Sequence, residues 1–220
     1  MTERKNNHAN LKSFAMENGA SLFGAADIAE IKKEFSLLPE SNLNTAVSIA
    51  FRLSRAVLNT IHDSPTKLYF HHYKQANYFL DNLGLRIANF IQERGFNAMP
   101  IPASQVIDRE AQKGHISHRK IAQLAGLGRI GRNNLLVTPD FGAGVRLATI
   151  LTDLPLEYDE PLKKQDCGQC MECVSLCPAG AIKEKTEDFD RMACYGQLDI
   201  FRKKCQIGHH ICGICVKACP

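Results

Sequence analysis

Apolar positions change their spacing several times upstream of residue 160, and each spacing predicts a different element. "SLFGAA" (21–26) and "TAVSIAF" (45–51) are short, nearly continuous apolar runs, the pattern of buried strands. From Tyr69 the apolar residues recur at steps of four and three, through Tyr73, Ala76, Leu80, Leu83, Ile87 and Phe90. That spacing puts them on one face of a long helix. Ser64-Pro65 predicts its start, with serine as cap and proline in the first turn, and Gly95 predicts its stop. "LKSFAMEN" before Gly19 reads as a short helix, and "SHRKIAQLA" as another, capped by Ser117. "FNAMPI" is a further strand. "NNLLVTP" and "GVRLATILTD" read as two strands joined by the turn at 140–144.

Alternating elements that end in a strand pair predict an α/β domain with a mixed sheet. The polar, proline-containing stretch from Asp153 to Asp166 reads as its boundary, giving domains at 1–158 and 159–220. With 45% hydrophobic and 23% charged residues the chain has the composition of a folded protein rather than a disordered one. The net charge of +4 is too mild to argue for a nucleic-acid partner. The basic run "FRKK" (201–204) reads as a solvated helix face. No apolar stretch is long enough to span a bilayer, and the charged N-terminus lacks the apolar core of a secretion signal. A cytoplasmic location is expected.

The nine cysteines change the picture, because all of them lie at or after Cys167. An odd, clustered set without an export signal points to metal rather than to disulfides. Cys167, Cys170, Cys173 and Cys177-Pro178 have the spacing of the bacterial ferredoxin run. A cubane cluster needs four thiolates at tetrahedral corners. Two-residue gaps place three sulfurs on neighbouring irons, and the fourth, before proline, points away to a second cluster. Zinc, the rival, needs neither the third cysteine at the same step nor the Cys-Pro ending.

This cross-over rule joins Cys167, Cys170 and Cys173 with Cys219, which precedes Pro220. It leaves Cys177 with Cys212 and Cys215, one ligand short. Cys194 and Cys205 both remain for that place, with His209 and His210 ranking last because histidine is uncommon on this cluster type. Spacing alone does not choose between the two cysteines.

"GLGRIG" (126–131) fits the dinucleotide fingerprint G-x-G-x-x-G, but a helix-like segment precedes it and a strand-like one follows. The fingerprint needs the reverse order, so nicotinamide binding is rejected there.

"AGLGRIGRNNLLVTPDFGAGVRLATILTDLPLE", the complete cysteine run, "FDRMAC" and "CGICVKACP" together resemble epoxyqueuosine reductase. The likeness is good from Ile116 to Pro220 and only pattern-level from Leu11 to Ser104. It implies an iron–sulfur oxidoreductase: a nitroreductase-like N-terminal domain holding cobalamin, followed by a ferredoxin-like domain with two [4Fe–4S] clusters. The clusters would relay single electrons to cobalt. The lone cysteine of "FDRMAC" matches the family's extra ligand, which assigns Cys194 to the second cluster with Cys177, Cys212 and Cys215. The glycine segment borders the cobalamin pocket in the family. Gly126, Gly128 and Gly131 would then let backbone approach the macrocycle, and Arg132, Asn133 and Asn134 could meet its polar tail. A tight turn explains the glycines without a cofactor.

The resemblance also implies a redox donor such as ferredoxin or flavodoxin, and tRNA as a possible substrate. Three departures weigh on the substrate. The place of the family's proton-donating acid falls at Gln112, with Asp108 near but out of register. His115 and His118 remain as candidate donors, since histidine titrates near neutral pH. The threonine phrase after the extra cysteine is here "YGQLDI", and the chain stops before the family's helical-repeat domain. The competing expectation is an electron-transfer module that reduces a partner protein or a flavin, without cobalamin.

Overall fold

The computed structural model describes residues 2–35, 40–108, 110–163 and 167–219. Pro220 and residues 164–166 of the expected boundary lie outside them. In chain order the elements are α1 (Glu3–Glu17), β1 (Leu22–Asp27), β2 (Thr45–Arg52), α2 (Arg55–Asn59), α3 (Lys67–Gln92), β3 (Ala98–Ile101) and α4 (His118–Leu124). Then follow β4 (Arg129–Ile130), β5 (Leu136–Val137), β6 (Val145–Thr152), α5 (Glu172–Ser175), α6 (Arg191–Lys204) and α7 (Ile214–Ala218). Two compact units result. One comprises Met1–Phe51, Asn77–Leu127 and Arg146–Leu162; the other comprises Arg52–Ala76, Gly128–Val145 and Lys163–Pro220. The units interleave in sequence, so two stretches upstream of residue 158 group with the cysteine runs.

The first unit is built on a four-stranded sheet of order β1-β2-β6-β3. β1 is antiparallel to β2, with Phe23 opposite Ile49, and β3 is antiparallel to β6, with Met99 opposite Leu151. Successive side chains point to opposite faces, and both faces are covered. Val47, Ile49 and Ile150 join Leu11 of α1 and Leu80, Leu83 and Ile87 of α3 in one core. Ala46 and Leu151 join Ile28 and Ile121 of α4 in the other. Burial on both sides is why these strands read as continuous apolar runs rather than alternating ones.

The elements differ from expectation in three places. α1 starts at Glu3 rather than Leu11; its added first turns, with Glu3, Arg4 and Lys5, are good helix formers without an apolar face, which periodicity cannot register. α3 starts at Lys67, and its cap is Thr66 rather than Ser64: the Tyr69 N–H donates to Thr66 Oγ1 at 3.1 Å. The expected pairing of 133–139 with 144–153 does not occur. β5 is two residues long and pairs with β4, while β6 belongs to the four-stranded sheet. The segment after β5 closes on itself instead. The Thr138 N–H donates to the Gly142 carbonyl and the Phe141 N–H to Thr138 Oγ1. The Ser117 cap of α4 forms as expected, accepting from the Lys120 N–H, and Gly95 ends the last turn of α3 at φ +84°.

In the second unit α6 is capped by Asp190, whose carboxylate accepts from the Ala193 N–H at 2.9 Å. Asp199 on the same helix bonds Arg202 at 2.9 Å and Lys203 at 2.7 Å. The "FRKK" run is thus a helix face laced by its own carboxylate. No helix among the described residues is long and apolar enough to cross a membrane.

Candidate metal centre

Cys173 lies within α5, with Cys167 and Cys170 before it and Cys177 just after. Cys194 sits in the first turn of α6, Cys215 sits in α7 with Cys212 just before it, and Cys219 ends α7. None of the nine is in a disulfide. Burial raises several of these thiols, and the identity of the next contributors maps who neighbours whom. Cys173 is pushed up to about 11 by burial and then by Cys219, Cys167 and Cys170. Cys219 is raised by burial and by Cys167 and Cys170, with Arg129 opposing. Cys212 is pushed up to about 11 by burial and, among the thiols, by Cys194, Cys177 and Cys205. Cys215 is raised further by burial, then by Cys212 and Cys194, with Cys173 and Cys177 behind them. Cys194 is raised by burial and by Cys177 and Asp190.

These influences sort eight thiols into two groups, Cys167–Cys170–Cys173–Cys219 and Cys177–Cys194–Cys212–Cys215, with Cys173 also acting on Cys215. Cys205 enters only the shift of Cys212. Thiols bind metal as thiolates, and Cys173, Cys194, Cys212, Cys215 and Cys219, all raised by burial, would give up their protons only to a cationic core set among them. Among the described residues no three His, Cys, Asp or Glu side chains converge on a point the size of one ion. A cubane does not require that, because each thiolate is bound to a different iron.

A hairpin frames the first group. β4 and β5 pair through Arg129–Val137 and Ile130–Leu136, and the Gly131 N–H donates to the Leu135 carbonyl across the turn. Arg132 leaves this turn toward the first cysteine run. Its guanidinium donates to the carbonyls of Cys170 and Gly168, each at 2.9 Å, and to that of Glu184. Asn133 is 4% exposed. Its Oδ1 accepts from the Leu135 N–H at 3.2 Å, while its Nδ2 and the Nε of Arg129 are buried without a partner among the described residues. Asn134 takes a left-handed conformation at φ +58° to close the turn.

The glycine segment has a packing reason at each position. A β-carbon on Gly126 would lie 2.6 Å from the Glu160 carbonyl oxygen, and one on Gly128 would lie 2.5 Å from that of Val137. One on Gly131 would lie 2.6 Å from Val137 Cγ2 and 3.4 Å from Cys167 Sγ. Protein atoms already fill the space these glycines leave. As the sequence predicted, a helix (α4) precedes the segment and a strand (β5) follows it, the inverse of a dinucleotide site.

In the first unit Gln112, His115 and His118 line a cleft of about 180 Å³ with residues 101–106. Gln112 stands at φ +49°, a conformation uncommon for a residue with a side chain. His118 Nε2 lies 2.9 Å from the Pro102 carbonyl, to which it can only donate. Its Nδ1 is then the acceptor for the Thr149 hydroxyl at 2.8 Å. Both ring nitrogens are engaged in the neutral form, and burial pulls this histidine down to about 4.

Sequence reasoning missed Arg129 and the clamp made by Arg132. The triplet "RNN" after a glycine turn was the available signal, but it does not disclose that its partners are carbonyls of the cysteine run.

No family model matches the chain. Among curated proteins it is similar to the epoxyqueuosine reductase of Bacillus anthracis, 33% identical over 117 residues, covering 49% of this chain and 30% of that protein. The epoxyqueuosine reductase of Cyclobacterium marinum is 36% identical over 114 residues, covering 48% and 36% respectively. The matched stretch thus spans about a third of these relatives' length. Among solved structures, a catabolic reductive dehalogenase in complex with 3-bromo-4-hydroxybenzoic acid superposes with a TM-score of 0.81 at 19% identity, covering 100% of this chain and 32% of the other. A reductive dehalogenase described in terms of B12-dependent dehalogenation superposes equally well, at 18% identity and the same coverage. An epoxyqueuosine reductase with an epoxyqueuosine-modified tRNA stem loop gives a TM-score of 0.65 at 19% identity, covering 98% of this chain and 65% of the other. At these identities the structural likeness is one of fold.

Proposed function

We propose that the chain is an iron–sulfur oxidoreductase whose two [4Fe–4S] clusters relay single electrons to a cobalamin-type cofactor. The observation that carries the relay is the division of eight cysteines into two neighbouring groups of four. Cys167, Cys170, Cys173 and Cys219 would hold one cluster, and Cys177, Cys194, Cys212 and Cys215 the other. Such a core would take these thiols as thiolates, its positive charge offsetting the burial that raises five of them. Arg132 holds the loop of the first group in shape by tying two of its carbonyls.

Support for cobalamin comes from the fold shared with a B12-dependent dehalogenase and from the curated epoxyqueuosine reductases. When bound, cobalamin would supply a reduced cobalt able to attack an epoxide or a carbon–halogen bond, the hard chemistry belonging to the cofactor. The residues first expected to touch it fit it poorly. Gly126, Gly128 and Gly131 face protein atoms, and Arg132 is bonded to the cysteine loop. With both nitrogens of His118 engaged, a proton for the reduced product would come from His115 or from solvent. The substrate is an epoxide or organohalide, with a tRNA base as one form of the first, and the electron donor a small redox protein.

The test is an anaerobic titration of the cluster-loaded chain with cob(II)alamin, followed by EPR and absorbance. A base-off cobalt spectrum saturating near one equivalent is the expected result. An unchanged cobalt spectrum with both clusters intact would replace this reading with an electron-transfer module that reduces a partner protein or a flavin.

A further inference from the structure

Asn133 is buried yet chemically incomplete. Its Oδ1 is fixed by the Leu135 N–H, which sets the plane of the carboxamide. Its Nδ2 carries two N–H donors into the protein interior, where no acceptor among the described residues meets them. Leaving such a group unsatisfied costs about 1–3 kcal/mol, so an interior amide of this kind implies an acceptor. The position of that acceptor is narrowed by Gly131. The point where a β-carbon on residue 131 would sit is 3.1 Å from Asn133 Oδ1 and 3.4 Å from Cys167 Sγ. The carboxamide and the first thiol of the cysteine run thus both border Gly131, in a space already filled by Val137 Cγ2, 2.6 Å from that point. A second unpartnered donor, the Nε of Arg129, lies on the same hairpin, and the Arg129 charge acts on Cys219 of the same thiol group.

We propose that Asn133 is a positioning residue for the cluster held by Cys167, Cys170, Cys173 and Cys219, donating an N–H to one of its sulfurs and setting its potential above that of the unbonded cluster. This rests on the iron–sulfur reading above. The reason for the direction is electrostatic. Reduction adds negative charge to the sulfurs, an N–H donor stabilises that charge, and hydrogen bonds to sulfur are among the determinants of cluster potential. Arg129 supplies the same influence from the Cys219 side.

The experiment is EPR-monitored redox potentiometry on the anaerobically reconstituted full chain, comparing wild type with Asn133→Asp and Asn133→Leu. Asn133→Asp keeps an oxygen for the Leu135 N–H and so preserves the turn, but removes the amide donors. Asn133→Leu removes both. Both variants are expected to shift one of the two midpoints downward, by about a tenfold change in the reduced-to-oxidised ratio, or about 59 mV for a one-electron couple. The other midpoint stays in place. Eight irons per chain with both midpoints unmoved in the two variants would overturn the proposal. So would a change confined to the cobalt spectrum of the cobalamin-loaded variants, which would give the amide to the cofactor instead. Failure of the wild-type chain to assemble any cluster would reject the iron–sulfur reading itself, a result distinct from either.

Discussion

Gly131 and Cys167 share one space: a β-carbon on residue 131 would lie 3.4 Å from the Cys167 sulfur. The same carbon would lie 2.6 Å from Val137 Cγ2, closer than real contacts allow. Gly131→Ala should therefore force Val137 to shift within the hairpin that borders the cysteine run, at about 1–3 kcal/mol for overpacking of this kind. Chemical denaturation should show that loss. Iron retention during gel filtration should fall for the first cluster only, leaving about half of the metal.

Arg132 fastens the turn to the loop it faces. Three charge-assisted bonds to the carbonyls of Cys170, Gly168 and Glu184 hold the first run in a shape that a lone loop would not keep. The side chain is only half-buried, so the set contributes less than the sum of three such bonds, about 1–3 kcal/mol in all. Arg132→Lys should not rescue it, because a point ammonium cannot reach three divergent carbonyls as a planar fork does. The rate of iron loss to an external chelator is the measurement, and both Arg132→Ala and Arg132→Lys should speed it severalfold.

The eighth ligand can be settled by two substitutions. Cys194 neighbours Cys177, Cys212 and Cys215, whereas Cys205 enters only the environment of Cys212. Cys194→Ser should lose about half of the iron after reconstitution, and Cys205→Ser should keep all of it. The reverse pattern would exchange the two cysteines.

His118 ties stability to pH. Burial holds it at about 4, below its ordinary 6.5. Between those values the unfolded chain binds a proton that the folded chain refuses, so stability rises with pH through that window. The full contribution is present above about pH 6.5, declines as pH falls, and levels off below about pH 4. His118→Gln should flatten this segment of the stability profile, which thermal unfolding from pH 7 to pH 4 would record as a difference between the two proteins.

What the sequence disclosed follows from the range of each interaction. The face of α3 was readable because Tyr69 through Ile87 repeat at helical spacing and are all buried in the fold. The two cysteine runs were legible because cluster ligands obey short, fixed gaps, whereas Cys194, outside both runs, was placed by the resemblance alone. The start of α3 was misplaced because Thr66 and Ser64 are chemically interchangeable as caps. The β4–β5 hairpin was invisible, since two-residue strands are too short to carry a period. Arg132 was given a cofactor-tail role because its true partners, the carbonyls of Gly168, Cys170 and Glu184, lie far along the chain and belong to backbone, which leaves no mark on side-chain pattern. The glycines of residues 126–131 showed that something approaches closely, but not whether it is a cofactor or the protein itself.

The central claim is that the thiols hold two cubane clusters. Iron and acid-labile sulfide should be counted per chain on anaerobically purified, reconstituted protein, with Mössbauer spectra to identify cluster type. The account requires about eight irons and eight sulfides in [4Fe–4S] form, falling to about four of each in Cys173→Ser and in Cys215→Ser separately. Tightly bound zinc without sulfide, or a single cluster that survives both substitutions, would contradict it.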